Sequence, residues 1–167
     1  SKIQKHLQDY DVSFCFIGGG ILPFYGYVRM TEDIDILVSS RDKKRIKSIP
    51  PAFMKDISYN PNEVRRMKLH DPQTLVEVVY SGEDLSQSGF SFPDPKEVVV
   101  IEDNFPILSL YRLIEFKLSA GLFGKGRMKD LADVEQLIKI NNLSFTFMDD
   151  SHPLLYEKYK EIWDGLR

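Results

Sequence analysis

Apolar residues fall in short, nearly continuous runs through the first two thirds of the chain and at helical spacing through the last third. Residues 12–17 (VSFCFI) predict a buried strand, and Gly18-Gly19-Gly20 hand it to a short helix from about Ile21, where Pro23 is tolerated in the first turn. Residues 33–38 (DIDILV) predict a second strand. Ser40 is placed to cap a basic helix over 41–49, which Pro50-Pro51 stops. The runs EVRRMKLH and TLVEVVY flank Asp71-Pro72-Gln73 as the strands of a hairpin would. Residues 80–96, rich in Ser, Gly, Pro and Asp, read as loop, and 97–101 (EVVVI) as a short last strand. From Ser109 the period changes to about 3.6 and predicts helices near 110–122, 129–140 and 153–165. A mixed sheet followed by helices implies an α/β (α+β) fold in one domain, 1–167, with a sheet core over about 12–101 and a helical part over about 109–167.

Composition narrows the function without choosing it. With 167 residues, 43% hydrophobic and 28% charged, the chain can bury a real core, which excludes a disordered tail. A net charge of -3 excludes a general polyanion binder, so any nucleic-acid contact is local, with basic clusters at 41–47 and 65–68 as candidates beside the alternative of a solvated charged face. The single cysteine, Cys15, sits among Phe14, Phe16 and Ile17 as a small buried hydrophobe, and one cysteine makes neither a disulfide framework nor a cysteine zinc site. No run approaches the roughly 20 apolar residues of a membrane span, and no signal-peptide pattern is present, so a reducing cytoplasmic setting is expected. Ser1 in place of a methionine reads as a processed start.

Chemistry concentrates in residues 14–38. Side chains alternate along a strand, so Asp33 and Asp35 leave one face about 6.6 Å apart along the chain, while Ile34 and Ile36 leave the other. Two carboxylates on one face of an apolar strand repel, and a divalent hard cation such as magnesium or manganese resolves the conflict, with water and substrate phosphate completing its shell. The alternative is a strand end with two solvated acids. Consecutive glycines between a strand and a helix expose backbone N–H groups to a phosphate, although a tight turn explains them equally well. The run is neither a P-loop nor a dinucleotide fingerprint.

Two further charges break their local pattern. Glu77 interrupts the β-branched run of TLVEVVY, as a third metal-site carboxylate or as an outward residue of an edge strand. Lys117 falls on the apolar stripe Leu110, Leu113, Ile114, Lys117, Leu118, where it either snorkels or points at an anion. Asp130 and Asp133 follow in the next helix, where acids near the start also serve as dipole complements. His6, His70 and His152 are scattered without ligand spacing.

The stretch GGGILPFYGYVRMTEDIDILV resembles the signature of the nucleotidyltransferase superfamily with the DNA polymerase β-like fold. With Gly26, Arg29, Thr31, Lys117, Arg127, Lys129, Asp130 and Asp133 added, it looks most like the AbiEii-type nucleotidyltransferase toxins, over residues 14 to about 140. The resemblance implies a small mixed sheet flanked by helices, with Gly18, Gly19 and Gly20 holding the triphosphate. Asp33, Asp35 and Glu77 become the metal-binding catalytic carboxylates, although the third position is often aspartate in such enzymes. It further implies phosphate contacts from Lys117, Arg127 and Lys129, and from Arg29 or Thr31. The cofactor would be Mg2+ or Mn2+, the substrate a nucleoside triphosphate such as ATP, the acceptor RNA or tRNA, and the partner an antitoxin protein.

Three other classes stay open. A D-x-D glycosyltransferase needs a larger nucleotide-binding portion than the 32 residues that precede Asp33. A domain with this fold and no activity would serve as a nucleotide-binding or interaction module. Third, the acids would hold a structural metal or simply be solvated at a sheet end.

Overall fold

The computed structural model describes residues 1–58, 63–70, 73–85 and 89–167. They form two compact units. The first comprises Ser1–Ile21, Met30–Glu83 and Phe92–Leu108, and the second Leu22–Arg29, Asp84–Ser91 and Ser109–Arg167.

The first unit is built on a sheet that has seven strands among the described residues. They are β1 (Phe14–Ile17), β2 (Asp33–Val38), β3 (Met54–Asp56), β4 (Arg66–His70), β5 (Gln73–Tyr80), β6 (Val99–Glu102) and β7 (Phe105–Leu108), in the order β3-β4-β5-β2-β1-β7-β6. The sheet is mixed: β2 runs parallel to β5 and β1 parallel to β7, and the other neighbours are antiparallel. Register sorts its side chains. Ile36 and Val38 on β2, Val76, Val78 and Tyr80 on β5, and Met67 and Leu69 on β4 share one buried face. Lys43 packs over the ring of Tyr80 there, 4.9 Å from its centroid. The opposite face carries Asp33, Asp35, Leu75 and Glu77.

Several elements differ from the sequence expectation. Helix α1 (Lys2–Asp9) caps on Ser1 and buries Ile3 and Leu7, an amphipathic turn too short to announce itself in the pattern. The glycines do not precede a helix but open it, as a 3-10 helix over Gly18–Tyr25. The basic segment begins with a 3-10 turn, Ser40–Asp42, continues as α2 (Lys43–Lys47), and receives no side-chain cap from Ser39 or Asp42. The expected strand over 97–101 starts two residues later, after a helical turn, α3 (Pro95–Val98), capped by Asp94, and it pairs with the unexpected β7. Pro106 inside β7 lacks a ladder donor and hides that strand from sequence reading. Asp103 and Asn104, at φ 47° and 65°, make the tight turn between β6 and β7. Short β3 was also unexpected. Of the expected β4–β5 turn, Asp71 and Pro72 lie outside the described residues, as do residues 86–88 of the expected loop.

The second unit contains the three expected helices, α4 (Leu110–Phe123), α5 (Met128–Asn141) and α6 (Pro153–Asp164). Ser109 caps α4 through the backbone N–H of Arg112, and Asn142 ends α5 in the left-handed conformation. Their core gathers Leu113, Ile114, Leu118, Val134, Leu137, Leu155 and Tyr159. Among the described residues no helix is long and apolar enough to cross a membrane.

Candidate functional site

In the first unit, the ladder assembles the carboxylates. Asp33 and Asp35 open β2, half-buried, and Asp35 sits directly beside Glu77 of β5 in parallel register. In such a ladder facing residues point the same way, so all three carboxylates leave one face of two adjacent strands. Thr31 braces the entry to β2, its hydroxyl donating to the backbone carbonyl of Asp33 at 3.3 Å.

The glycine turn meets this group from the other side of β2. Ile17 pairs with Asp35 across β1 and β2, so the next residue, Gly18, emerges beside that carboxylate. A Cβ on Gly18 would stand 2.6 Å from Asp35 Oδ2, and Gly18 lies at φ +71°. Both facts demand glycine at 18. Gly18, Gly19 and Gly20 open the 3-10 helix, and the first N–H groups of any helix lack partners inside it. A cradle of backbone donors and two hard oxygen ligands are thus neighbours in the chain's own register.

Glu77 is held differently. Its strand is interior, so the edge-strand alternative does not apply; it is half-buried, with 44% of the side chain accessible. Arg66, its antiparallel partner on β4, approaches its carboxylate at 3.7 Å. Among the described residues no group of three or more His, Cys, Asp and Glu side chains stands close enough together to hold a metal ion. The donor chemistry fits magnesium or manganese through Asp33 and Asp35, two anionic oxygens suited to a hard cation that takes its remaining ligands from phosphate and water.

The second unit holds the expected cations, and here the outcome is instructive. Lys117 neither snorkels nor lies bare: it is buried, with Nζ donating to Asp133 Oδ2 at 2.7 Å and to Asp130 Oδ1 at 3.0 Å. Arg29 donates to the same Asp133 through Nε at 2.8 Å and through Nη2 at 2.7 Å, a two-pronged contact. Arg127 Nε donates to Asp130 Oδ2 at 2.5 Å. Lys129 is exposed on the first turn of α5. Three cations therefore surround two buried carboxylates. Burial alone would raise the Asp133 carboxyl, but the hydrogen bonds from Arg29 and Lys117 outweigh it and hold it below the usual carboxylate range. The segment ahead of Arg29 is fastened to the same helix: Asn141 Nδ2 donates to the Tyr25 carbonyl at 3.0 Å, and Gly26, at φ +84°, turns where a Cβ would meet Ile140.

Sequence reasoning missed two relationships here. The pairing of Lys117 with the two aspartates was available in principle, since an i, i+3 pair of acids follows a lysine on an apolar stripe. Arg66 beside Glu77 was hidden until the β4–β5 register was known.

No family model matches the chain, and no curated protein matches it in sequence. Its structure does match solved ones. The antibiotic-resistance factor ANT(2'')-Ia superposes with a TM-score of 0.61 at 12% identity, over 99% of this chain and 91% of that one. A protein of H. pylori described as a nucleotidyltransferase superposes with a TM-score of 0.52 at 17% identity, over 99% and 90% of the two chains. At these identities the likeness is one of architecture, and it bears out the expected fold: the chain has the mixed sheet and flanking helices of the nucleotidyltransferase fold.

Proposed function

We propose that this protein is a metal-dependent nucleotidyltransferase that moves a nucleoside monophosphate from a nucleoside triphosphate to a hydroxyl acceptor. The observation that carries this reading is the close approach of a left-handed Gly18 to the Asp35 carboxylate, which brings the first backbone N–H groups of the 3-10 helix beside a carboxylate pair. Asp33 and Asp35 would hold magnesium or manganese. When bound, such an ion neutralises phosphate charge and lowers the pKa of the attacking hydroxyl.

The chain's own part is binding and alignment. Backbone N–H groups of residues 18–20 hold the triphosphate. The acceptor oxygen bonds to the α-phosphorus as the bond from that phosphorus to its bridging oxygen breaks, and pyrophosphate leaves. Glu77 takes the hydroxyl proton. An RNA or tRNA acceptor, and a toxin role beside an antitoxin, rest on the sequence resemblance alone. A second reading, an inactive nucleotide-binding module, is favoured by one observation: Arg66 already partners Glu77.

Titration calorimetry of each nucleoside triphosphate, with and without magnesium, tests the proposal on the wild type and on Asp33→Asn/Asp35→Asn. Metal-dependent binding confined to the wild type is expected, followed by pyrophosphate release once an acceptor is supplied. Binding without turnover across an acceptor screen selects the inactive module. Absence of any triphosphate binding overturns both readings.

A further inference from the structure

The face of the sheet that carries the carboxylates does not end at β5. Register extends it outward: Glu77 pairs with Arg66, Leu75 pairs with Lys68, and Lys68 pairs in turn with Lys55 on β3. Along the strand order β2-β5-β4-β3, this one face therefore passes from Asp33 and Asp35, through Glu77, to Arg66, Lys68 and Lys55. The apolar residues of the outer strands, Met54, Met67 and Leu69, all turn to the other face and are buried. Arg66, Lys68 and Lys55 are exposed.

Two features of this stripe point to an anionic ligand. Lys55 and Lys68 are direct cross-strand partners, an arrangement that repels in isolation. Among the described residues no carboxylate pairs with either of them, so the repulsion between the two lysines goes unanswered there. The stripe is also separated from the glycine turn. Gly18 follows β1 on one side of β2, and the cations stand on the other side, about 10 Å (β4) and about 14 Å (β3) from β2 at ordinary strand spacing. The two phosphate-attracting features flank the carboxylates and are too far apart to serve one triphosphate tail.

We infer that the exposed β4–β3 face, through Lys55, Lys68 and Arg66, binds the phosphate backbone of a single-stranded nucleic-acid acceptor whose terminal hydroxyl is presented at Asp33 and Asp35. This rests on the proposed nucleotidyl transfer and adds where the acceptor lies. Contacts of this kind grip the backbone and carry no base sequence, and on β5 the same face offers the apolar Leu75 and Val79.

The test is fluorescence anisotropy with a short labelled single-stranded oligoribonucleotide bearing a free terminal hydroxyl, beside calorimetry of nucleoside triphosphate with magnesium. Lys55→Gln/Lys68→Gln is expected to bind the oligonucleotide on the order of tenfold more weakly, with a salt dependence shallower by about 0.7 for each lost contact. Its triphosphate affinity and melting temperature should be unchanged, and Lys55→Arg/Lys68→Arg should bind like the wild type. Equal oligonucleotide binding by the Gln variant, or none by the wild type, overturns the inference. If the Gln variant loses triphosphate affinity instead, the stripe serves the donor nucleotide and the inference likewise falls. A wild type that binds the oligonucleotide through these lysines but no triphosphate would refute nucleotidyl transfer while leaving the surface in place.

Discussion

Gly18 and Asp35 stand so close that a methyl group on the first would lie 2.6 Å from Oδ2 of the second. Substitution at 18 therefore acts on the carboxylate. Gly18→Ala meets two penalties, a left-handed backbone that costs an L residue about 1–2 kcal/mol and a displacement of Asp35. The expected result is a protein that stays folded, less stable by about 1–2 kcal/mol, with triphosphate affinity in magnesium reduced on the order of tenfold or more. Denaturant unfolding and calorimetry on the same preparation measure both. Unchanged affinity would detach the glycine turn from the proposed site.

Asp33 and Asp35 repel each other on one strand face, so Asp33→Asn should not destabilise the isolated protein. Linked binding gives the contrast. At magnesium–triphosphate concentrations near a hundred times Kd, the wild type should gain about 2.7 kcal/mol of stability, and Asp35→Asn almost none. Thermal melts with and without both ligands measure this. A variant that melts well below the wild type in the absence of ligand would assign these aspartates to the architecture.

Much of this arrangement was legible beforehand, and the limits have physical causes. The alternation in DIDILV placed both aspartates on one face, and the change of period at Ser109 announced the three helices, because each signal repeats over several residues. Lys117 was correctly read as an oddity on an apolar stripe, but its partners Asp130 and Asp133 lie on another helix, and helical periodicity does not report which helix faces which. Glu77 was read against the possibility of an edge strand; only the order β4-β5-β2 shows that its strand is interior. Lys55 was invisible as part of any face, since three residues of β3 carry too little pattern to be recognised as a strand.

Cys15 provides an independent check on the first unit. It lies in the centre of β1 with no exposed surface, and burial, helped by the charge of Asp94, pushes its thiol up to about 12. The thiolate is the reactive form, so the native protein should not react with a disulfide reagent at neutral pH on the time scale of minutes, and should react fully once denatured. Rapid labelling of the folded chain would contradict the packing of β1 between β2 and β7.

The cluster around Lys117 should contribute to the acid stability of the second unit. Lys117→Met removes the cation shared by Asp130 and Asp133, leaving each with one arginine, Arg127 and Arg29 respectively. Breaking a buried pair by deleting one partner costs about 3–5 kcal/mol, and the surviving arginines argue for the lower end. Asp133 supplies the pH dependence. Its carboxyl titrates below its unfolded value, near 3.9, so the stability it contributes is complete above that value and is lost as pH falls through the lower, folded one. The wild type should thus lose stability below about pH 4. Asp133→Asn should be weaker at neutral pH, because Lys117 and Arg29 lose a charged partner, yet show a flatter decline in acid, so that the two curves converge. Urea unfolding from pH 7 down to pH 3, followed by far-UV circular dichroism, measures both curves. Parallel curves for wild type and Asp133→Asn would mean that other carboxylates govern acid unfolding and that this network contributes packing alone.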